Sequence, residues 1–353
     1  MNSVAKVVIR LDASVRGGLG HLRRCAVLGR HLRLAGIELF FLVRTADIDV
    51  EREITGIATS FSLMSPELSG VDDAIATVEY CRLIGADRLI VDHFSADEPY
   101  QRVLWASGIP WLQFDGDAGQ PLWADWVLSM VPGAQAEQFQ ARARRAGIRW
   151  LLGTRYAILR DEFCCSLPLR NIPGQAQRIL LTFGGGDDYG ATLLCLGALK
   201  HIGWSGPVNI VLGGRSPARG AIEEWVRESI SGTVHLHIEA PNMADLVAKA
   251  DLVISAGGTT SFETAALGAP TLLIRTVPNQ RPNTQGWEAL GAAIDLGDIV
   301  ELTSEALAAQ INALARDQPR RIVMSEAGRN AIDCRGAERI VEALCTDSSR
   351  ENK

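Results

Sequence analysis

Short uninterrupted apolar runs alternate along this chain with longer stretches whose apolar residues recur every three or four positions. In the first half, KVVIRLDAS (6–14), ELFFLVR (38–44), DRLIVDHF (87–94), PWLQFDG (110–116) and ADWVLSM (124–130) predict strands. Runs such as Leu89-Ile90-Val91 lack strict alternation, which marks strands buried on both faces. Helical spacing holds over residues 21–35, 72–84 and 97–106. The second half repeats the scheme, with strands predicted at 178–186, 208–214, 234–240, 251–258 and 269–276. Helical patterns there cover 190–202, 217–229, 242–250, 261–267 and 283–290, followed by a helical tail and a polar terminus at 348–353 that is expected to fray.

Strand–helix alternation of this kind argues for parallel sheets covered by helices. The expectation is an α/β chain of two Rossmann-like domains in tandem, residues 1–158 and 159–353. They are joined near 153–174, where the pattern weakens and Pro168 and Pro173 interrupt it. Open α/β sheets bind ligands beyond the carboxyl ends of their strands. In a tandem pair those ends are expected to face each other across an interdomain cleft, so the residues just after each strand carry the interest.

Composition narrows the chemistry. A length of 353 residues suits two domains, and 47% hydrophobic residues suffice for real cores. A net charge of −6, with no Lys/Arg run longer than a pair, argues against nucleic acid as a partner and leaves a small phosphorylated ligand open. Seven cysteines without a CxxC spacing suggest reduced thiols in a cytoplasm, with Cys164 and Cys165 packing rather than reacting. The segment MNSVAKVVIRLDAS reads as a strand rather than a signal peptide, and no apolar run is long enough for a membrane span. Cytoplasmic residence is therefore expected; oligomeric state is not legible.

The richest loop follows the first strand: Asp12, Ser14, Arg16, Gly17, Gly18, Gly20, His21, Arg23 and Arg24 fall within thirteen residues. Glycines admit close approach of a ligand, and the helix beginning near His21 aims free N–H groups at that space. The positive end of a helix disfavours imidazolium, so His21 is expected to be neutral near pH 7, the form needed in a general base. Asp12 is placed to fix its tautomer; the plainer alternative is a βα turn with a helix-capping His. The dinucleotide fingerprint is absent, because no third glycine follows Gly18-x-Gly20, and NAD is disfavoured. Asp92-His93 and Asp115-Gly116-Asp117 add acids and a second imidazole to the same rim, to bind sugar hydroxyls, to orient His21, or merely to cap loops. No spacing supports a metal site, and no cofactor is expected.

In the second half, Gly184-Gly185-Gly186-Asp187-Asp188 and Gly257-Gly258-Thr259-Thr260-Ser261 each join a strand to a helix. Two such loops suit a diphosphate held by backbone N–H groups and hydroxyls. Glu263, one turn into the next helix, suits a ribose, and Asn279-Gln280 suits phosphate or sugar.

Taken together these residues resemble the UDP-2,4-diacetamido-2,4,6-trideoxy-β-L-altropyranose hydrolase family of pseudaminic acid biosynthesis. That family is similar to glycosyltransferases of the GT-B type and related to the peptidoglycan N-acetylglucosaminyltransferases. The likeness runs from about Val8 to Glu342. It rests on RLDAS, GGLGHLRRCAVL, LIVDHF, GTRYAILRDEF, LTFGGGDD, NMADLVAKADLVISAGGTTSFETAALGAPTL, PNQ and IDCRGAERIV in that order. It implies hydrolysis at the anomeric carbon of a UDP-sugar without a metal, with His21 activating water and Tyr156 in the substrate-binding stretch. It also implies that Gly257, Gly258, Glu263, Asn279 and Gln280 hold the nucleotide. Where the family has an Asp-Asp pair followed by a basic residue and a His, this chain reads FDGDAGQPLWADW, which keeps Asp115 and lacks the His.

Overall fold

A computed structural model describes residues 4–13, 20–45, 50–115, 119–164, 170–186, 188–214, 216–228 and 233–346. The chain divides into two compact units. One holds the N-terminal strand, His21–Ile158 and the segment from Cys334; the other holds Leu159–Asp333.

The first unit is built on a seven-stranded sheet of order β3-β2-β1-β4-β5-β6-β7. Its strands are β1 (Lys6–Asp12), β2 (Glu38–Arg44), β3 (Ser60–Met64), β4 (Arg88–Asp92), β5 (Trp111–Phe114), β6 (Trp126–Ser129) and β7 (Arg149–Leu152). Every pairing is parallel, and β1, β2, β4, β5 and β6 carry nearly unbroken buried runs. The helices α1 (Gly20–Leu34), α2 (Val50–Ile54), α3 (Gly70–Ile84), α4 (Glu98–Ser107) and α5 (Ala136–Gln140) connect the strands. The local sequence explains their ends. Asp97 accepts a hydrogen bond from the Tyr100 amide at 3.0 Å to cap α4, and Gly108 closes that helix at φ 80°. The pattern missed β3 and β7. Both are edge strands, and the SFSLM and RWLL runs are too short and too polar-flanked to stand out.

The second unit has a six-stranded parallel sheet of order β10-β9-β8-β11-β12-β13. Its strands are β8 (Ile179–Thr182), β9 (Val208–Leu212), β10 (Val234–Ile238), β11 (Leu252–Ala256), β12 (Thr271–Arg275) and β13 (Ala293–Asp298). Around it lie α6 (Asp161–Cys164), α7 (Ala191–His201), α8 (Arg219–Glu228), α9 (Met243–Lys249), α10 (Thr259–Ala266), α11 (Arg281–Ala289), α12 (Ser304–Arg316) and α13 (Gln318–Ala331). Leu181, Leu196, Ile210, Ile254, Leu272 and Ile311 form the centre of one core layer. The sixth strand, β13, escaped the sequence pattern because Asp295, Gly297 and Asp298 break its apolar run.

The last helix, α14 (Gly336–Cys345), belongs to the first unit, not to the second as the expected 159–353 boundary had it. The backbone comes so close at Gly336 that a Cβ there would overlap the Ala157 carbonyl, and Arg339 Nη1 donates to the Arg155 carbonyl at 2.7 Å. A helix returning across the joint leaves no trace in local periodicity. Cys164 and Cys334 each sit in a disulfide, against the expectation of wholly reduced thiols; Cys25, Cys81, Cys195 and Cys345 are free. Among the described residues no helix is long and apolar enough to cross a membrane.

In both sheets the chain reverses direction of progress once, between β1 and β4 and between β8 and β11. The carboxyl ends at such a reversal are where an open α/β sheet leaves a crevice. His21 follows β1 and Asp92 ends β4; Gly184 follows β8 and Gly257 follows β11.

Candidate functional site

In the first unit, strand register decides who meets whom. Leu11 of β1 pairs with Asp92 of β4, so the helix that follows β1 starts beside the end of β4. Gly20 opens α1, and His21, next along, places Nδ1 2.8 Å from Asp92 Oδ1. Arg24, one turn later, grips the same carboxylate: Nε donates to Oδ2 at 2.7 Å and Nη2 to Oδ1. The Cys25 thiol adds a contact to Oδ2 at 3.3 Å. A carboxylate only accepts, so the proton between His21 and Asp92 sits on Nδ1 and the lone pair on Nε2. Arg24 Nη2 also lies 3.1 Å from Nδ1, because both donors converge on one oxygen; that approach is not a second hydrogen bond. Burial alone would push Asp92 upward, but the positive charge of Arg24, the His21 contact and their hydrogen bonds hold it well below the usual carboxylate range. The same buried thiolate-disfavouring surroundings push Cys25 up. Phe94 packs edge-on against the His21 ring at 4.8 Å.

Asp12 does not orient His21. It faces the other way, toward β2, where Arg44 is its register partner. Its carboxylate takes Arg10 Nη1 at 2.7 Å and Arg44 Nη2 at 2.5 Å. Burial pushes Asp12 up, yet Arg10 and Arg44 outweigh it and the group sits below its ordinary value. Arg10, fully buried, also pairs with buried Asp73 on α3, which makes this a structural charge network. Asp115, at the end of β5, is likewise engaged, with Arg142 donating to both oxygens at 3.1 and 2.6 Å. His93 points inward, packs edge-on against Tyr100 at 4.9 Å and is 4% exposed. Burial, reinforced by nearby Arg10, pushes it down to about 4, so it is neutral at physiological pH. Among the described residues neither of its ring nitrogens has a hydrogen-bond partner.

Tyr156 lies in a short 3₁₀ turn (Thr154–Tyr156) just after β7. That strand is four places along the sheet from β1, about 19 Å at ~4.8 Å per strand, so the backbone does not bring Tyr156 to the His21 rim. Gly18, Asp117 and Asp187 lie outside the described residues, as do Arg16, Gly17 and Cys165.

In the second unit the two glycine loops are not equivalent. After β8, Gly184 turns at φ 92°, Gly185 has room for a Cβ while its backbone packs on Gly213, and Gly186 is half-buried. The helix that follows is already capped, however: Asp188 accepts from the Gly190 and Thr192 amides at 3.0 and 3.1 Å. A carboxylate at that helix start disfavours a phosphate there. After β11, the loop remains open. Among the described residues Gly258 precedes α10 with no side-chain cap and with no atom within 4 Å of where its Cβ would stand, while Gly20 lies against the Thr259 hydroxyl. The first N–H groups of α10, beside the Thr259 and Thr260 hydroxyls, are thus available to an anion. Ser261 instead supports the turn, donating to the Gly258 carbonyl at 2.7 Å and accepting from Trp287 Nε1 at 3.0 Å.

Three expected nucleotide contacts have other duties. Gly257 is tightly packed: a Cβ would overlap Thr284 Cγ2 and stand 3.1 Å from Gln280 Cβ. Gln280 closes the turn after β12, its Oε1 accepting from the Thr276 amide at 3.0 Å. Asn279 beside it is half-buried. Glu263 is buried on α10, and Arg160 donates to its Oε1 from Nε at 3.1 Å and Nη2 at 3.0 Å. Sequence reasoning named Arg24 without its partner, and missed Arg160, Arg142 and Asn283, which donates to the Gly257 carbonyl at 3.0 Å. Arginines in loops carry no periodic signal; only register reveals their partners. Among the described residues no three His, Cys, Asp or Glu side chains are placed to hold a metal ion.

Residues 231–340 match the glycosyltransferase family 28 C-terminal domain. The chain is similar to the spore coat polysaccharide biosynthesis protein SpsG of Bacillus subtilis, 23% identical over 343 residues, covering 96% of this chain and 97% of SpsG. It is 25% identical over 274 residues to the uncharacterized protein MJ1062 of Methanocaldococcus jannaschii, covering 76% of this chain and spanning 55% of that relative's length. Among solved structures, MurG of Acinetobacter baumannii superposes with a TM-score of 0.67 at 17% identity, over 96% of this chain and 99% of MurG. The UDP-GlcNAc 2-epimerase of Neisseria meningitidis, bound to UDP-GlcNAc, superposes with a TM-score of 0.65 at 15% identity, over 97% and 100%. These likenesses fix the fold: two parallel-sheet Rossmann-like domains of the GT-B architecture.

Proposed function

We propose that this chain hydrolyses a UDP-activated 2,4-diacetamido-2,4,6-trideoxy sugar at C1, releasing UDP and the free sugar. The setting is a cytoplasmic step of nonulosonic (pseudaminic-type) acid biosynthesis. The observation that carries the reading is the His21–Asp92 pair at the start of the helix after β1, with Nδ1 held on the carboxylate and Nε2 turned to the task of a general base. In the reaction, Nε2 takes a proton from water while the water oxygen bonds to C1. The C1–O bond to the diphosphate breaks, and its electron pair leaves on the UDP oxygen. UDP departs readily, so the chain has to stabilise the developing charge more than protonate it. The open N-terminus of α10 supports that task; one well-aimed N–H donor is worth ~3–4 kcal/mol in comparable sites. The substrate partner is accordingly a UDP-sugar, with no role for nucleic acid.

The match of residues 231–340 to a glycosyltransferase domain supports a second reading, transfer of a UDP-amino sugar to an acceptor other than water. A third, a catalytically silent nucleotide-sugar binding protein, leaves the His21–Asp92 pair without a purpose. One assay separates them: UDP release from UDP-activated 2,4-diacetamido sugars of the altro and gluco series, with and without acceptor. Release in water alone, abolished in His21→Ala, supports the hydrolase. Release only with acceptor supports the transferase, and binding without release the silent protein.

A further inference from the structure

Four strands end the two sheets, β3 and β7 in the first and β10 and β13 in the second. An edge strand presents a row of unpaired amides and carbonyls, and folded proteins keep such rows from joining other chains with charges, prolines or bulges. Three of the four edges are broken by polar side chains. Arg149 opens β7, Asp295 and Asp298 interrupt β13, and His235 and His237 alternate along β10. β3 has no such device. Its residues, Ser60-Phe61-Ser62-Leu63-Met64, include no charge, proline or glycine, and among the described residues it pairs only with β2, in unbroken register. Leu63 in its middle is 61% exposed.

The ladder decides which backbone groups are open. Along a strand the N–H and C=O of one residue point the same way, and successive residues alternate. The Glu38 amide donates to the Ala5 carbonyl, toward β1, so the odd-numbered residues of β2 turn toward β3; the Leu39 carbonyl accepts there from the Thr59 amide at 2.7 Å. Phe41 stands opposite Phe61, so the groups of Phe41 are met by Ser60 and Ser62. The N–H and C=O of Phe61 and Leu63 therefore face the open edge.

Those open groups complement themselves. When a second β3 runs antiparallel with Ser62 on the two-fold axis, Phe61 of each copy stands opposite Leu63 of the other, and each such pair exchanges two N–H···O=C bonds. The Phe61 and Leu63 side chains share one face of the strand, so the same pairs join apolar groups across the seam. On the other face Tyr80 of α3 leans over the strand, accepting from Ser62 Oγ at 3.3 Å, and Leu83, one turn along, is 82% exposed. Charge sets the direction. Arg33 donates to Thr59 Oγ1 at 3.1 Å just before the strand, and exposed Glu67 lies just after it. Antiparallel pairing puts the start of one strand beside the end of the other, so Arg33 meets Glu67; a parallel pair would set like charges together.

We propose that β3 docks a second copy of this chain, antiparallel about Ser62, to make one sheet continuous through both. The proposal is independent of the UDP-sugar reading. An extended segment of some other protein could also use the open backbone, but nothing would supply it with an apolar residue and an acid at the matching offsets. Five residues span ~17 Å, so with one helix flank the contact is at the small end of specific interfaces and association in the micromolar range is expected.

The test is sedimentation equilibrium of the full chain over roughly 1–200 μM, the range in which a micromolar dimer forms and dissociates. Leu63→Lys sets an ammonium group beside Phe61 of the copy and should raise Kd by roughly tenfold or more, with the urea midpoint unchanged because the side chain is exposed. Arg33→Glu and Glu67→Arg should each weaken the dimer by roughly tenfold, and the two together should restore it, since the charges are exchanged rather than lost. In the parent alone, residue-resolved hydrogen exchange should slow at the Phe61 and Leu63 amides as concentration rises and stay constant at Ser62, which bonds to β2. A parent that remains monomeric throughout overturns the proposal and leaves the edge to another partner. A dimer indifferent to Leu63→Lys, one that the charge exchange does not restore, or one in which those two amides gain no protection overturns it equally.

Discussion

Replacing Asp92 with Asn keeps the shape of the side chain and removes the one group on which His21, Arg24 and Cys25 converge. Oδ1 serves His21 Nδ1 and Arg24 Nη2, while Oδ2 serves Arg24 Nε and the Cys25 thiol. An amide has one oxygen for these four donors. With that oxygen toward Arg24 Nε, the amide NH₂ faces His21 Nδ1; the ring must then accept there, its proton moves to Nε2, and the base is lost. With the oxygen toward His21, the NH₂ collides electrostatically with the Arg24 Nε–H. A positioned general base is worth ~10²–10⁴ in rate, or about 3–5 kcal/mol of barrier.

Stability suffers as well. The Asp92 and Arg24 side chains are 1% and 14% exposed, and stripping one partner from a buried pair costs ~3–5 kcal/mol. Arg24 keeps some access to water, so the lower end applies. Steady-state UDP release at a temperature where the variant is folded, checked by a urea melt, should show kcat down by on the order of 10²–10⁴ with UDP affinity preserved. A folded Asp92→Asn protein that turns over at the parental rate would show that neither Asp92 nor the tautomer it sets takes part.

Three further outcomes follow from the same geometry. His93 is held down to about 4 against an ordinary 6.5, so the unfolded chain takes up its proton first; stability is full above 6.5 and falls toward pH 4, by about 3 kcal/mol from this group. Arg10, Asp12, Asp73 and Arg44 face it, and urea midpoints at pH 7.5 and 4.5 should differ less in His93→Phe than in the parent. In Gly257→Ala the new methyl runs into Thr284 and Gln280, which should cost ~1–3 kcal/mol and weaken UDP binding, as a thermal melt and calorimetry would register. Asp188→Ala should cost ~1 kcal/mol through the lost cap of α7 yet leave UDP affinity unchanged, if the diphosphate meets α10 rather than α7 as proposed; a large loss of affinity would reverse that proposal.

How much of this was legible before any coordinates? The sheets were, because strands such as β1, β2, β4, β8, β11 and β12 are largely apolar, buried runs, and a strand buried on both faces can hardly be written otherwise. The three missed strands are those where burial is partial or polar residues intrude: Ser60–Met64, Arg149–Leu152 and Ala293–Asp298. His21, the glycine loops and Asp92 were also legible, as residues that a parallel sheet puts at the rim. The return of Gly336–Cys345 to the first unit was not, because it depends on contacts between segments far apart in sequence.

Partner identity was the deeper loss, and the loss has one cause. Asp12 and Asp92 both end strands flanking the His21 loop, and sequence distance favours Asp12 as its orienting acid. Register overrides distance. Asp12 stands opposite Arg44 and is drawn into the Arg10–Asp73 network, whereas Asp92, seventy-one residues from His21, lies under the first turn of α1. The same holds for Glu263, which one would assign to a ribose until Arg160 is seen on its carboxylate, and for Gln280, spent on its own turn. A candidate acid or amide in a sequence therefore counts as available only after its cations and amides have been counted in space. By that measure Asp12, Asp115, Glu263 and Gln280 are already spent inside the fold, which leaves His21, held by Asp92 through Nδ1, as the stronger candidate in the first unit.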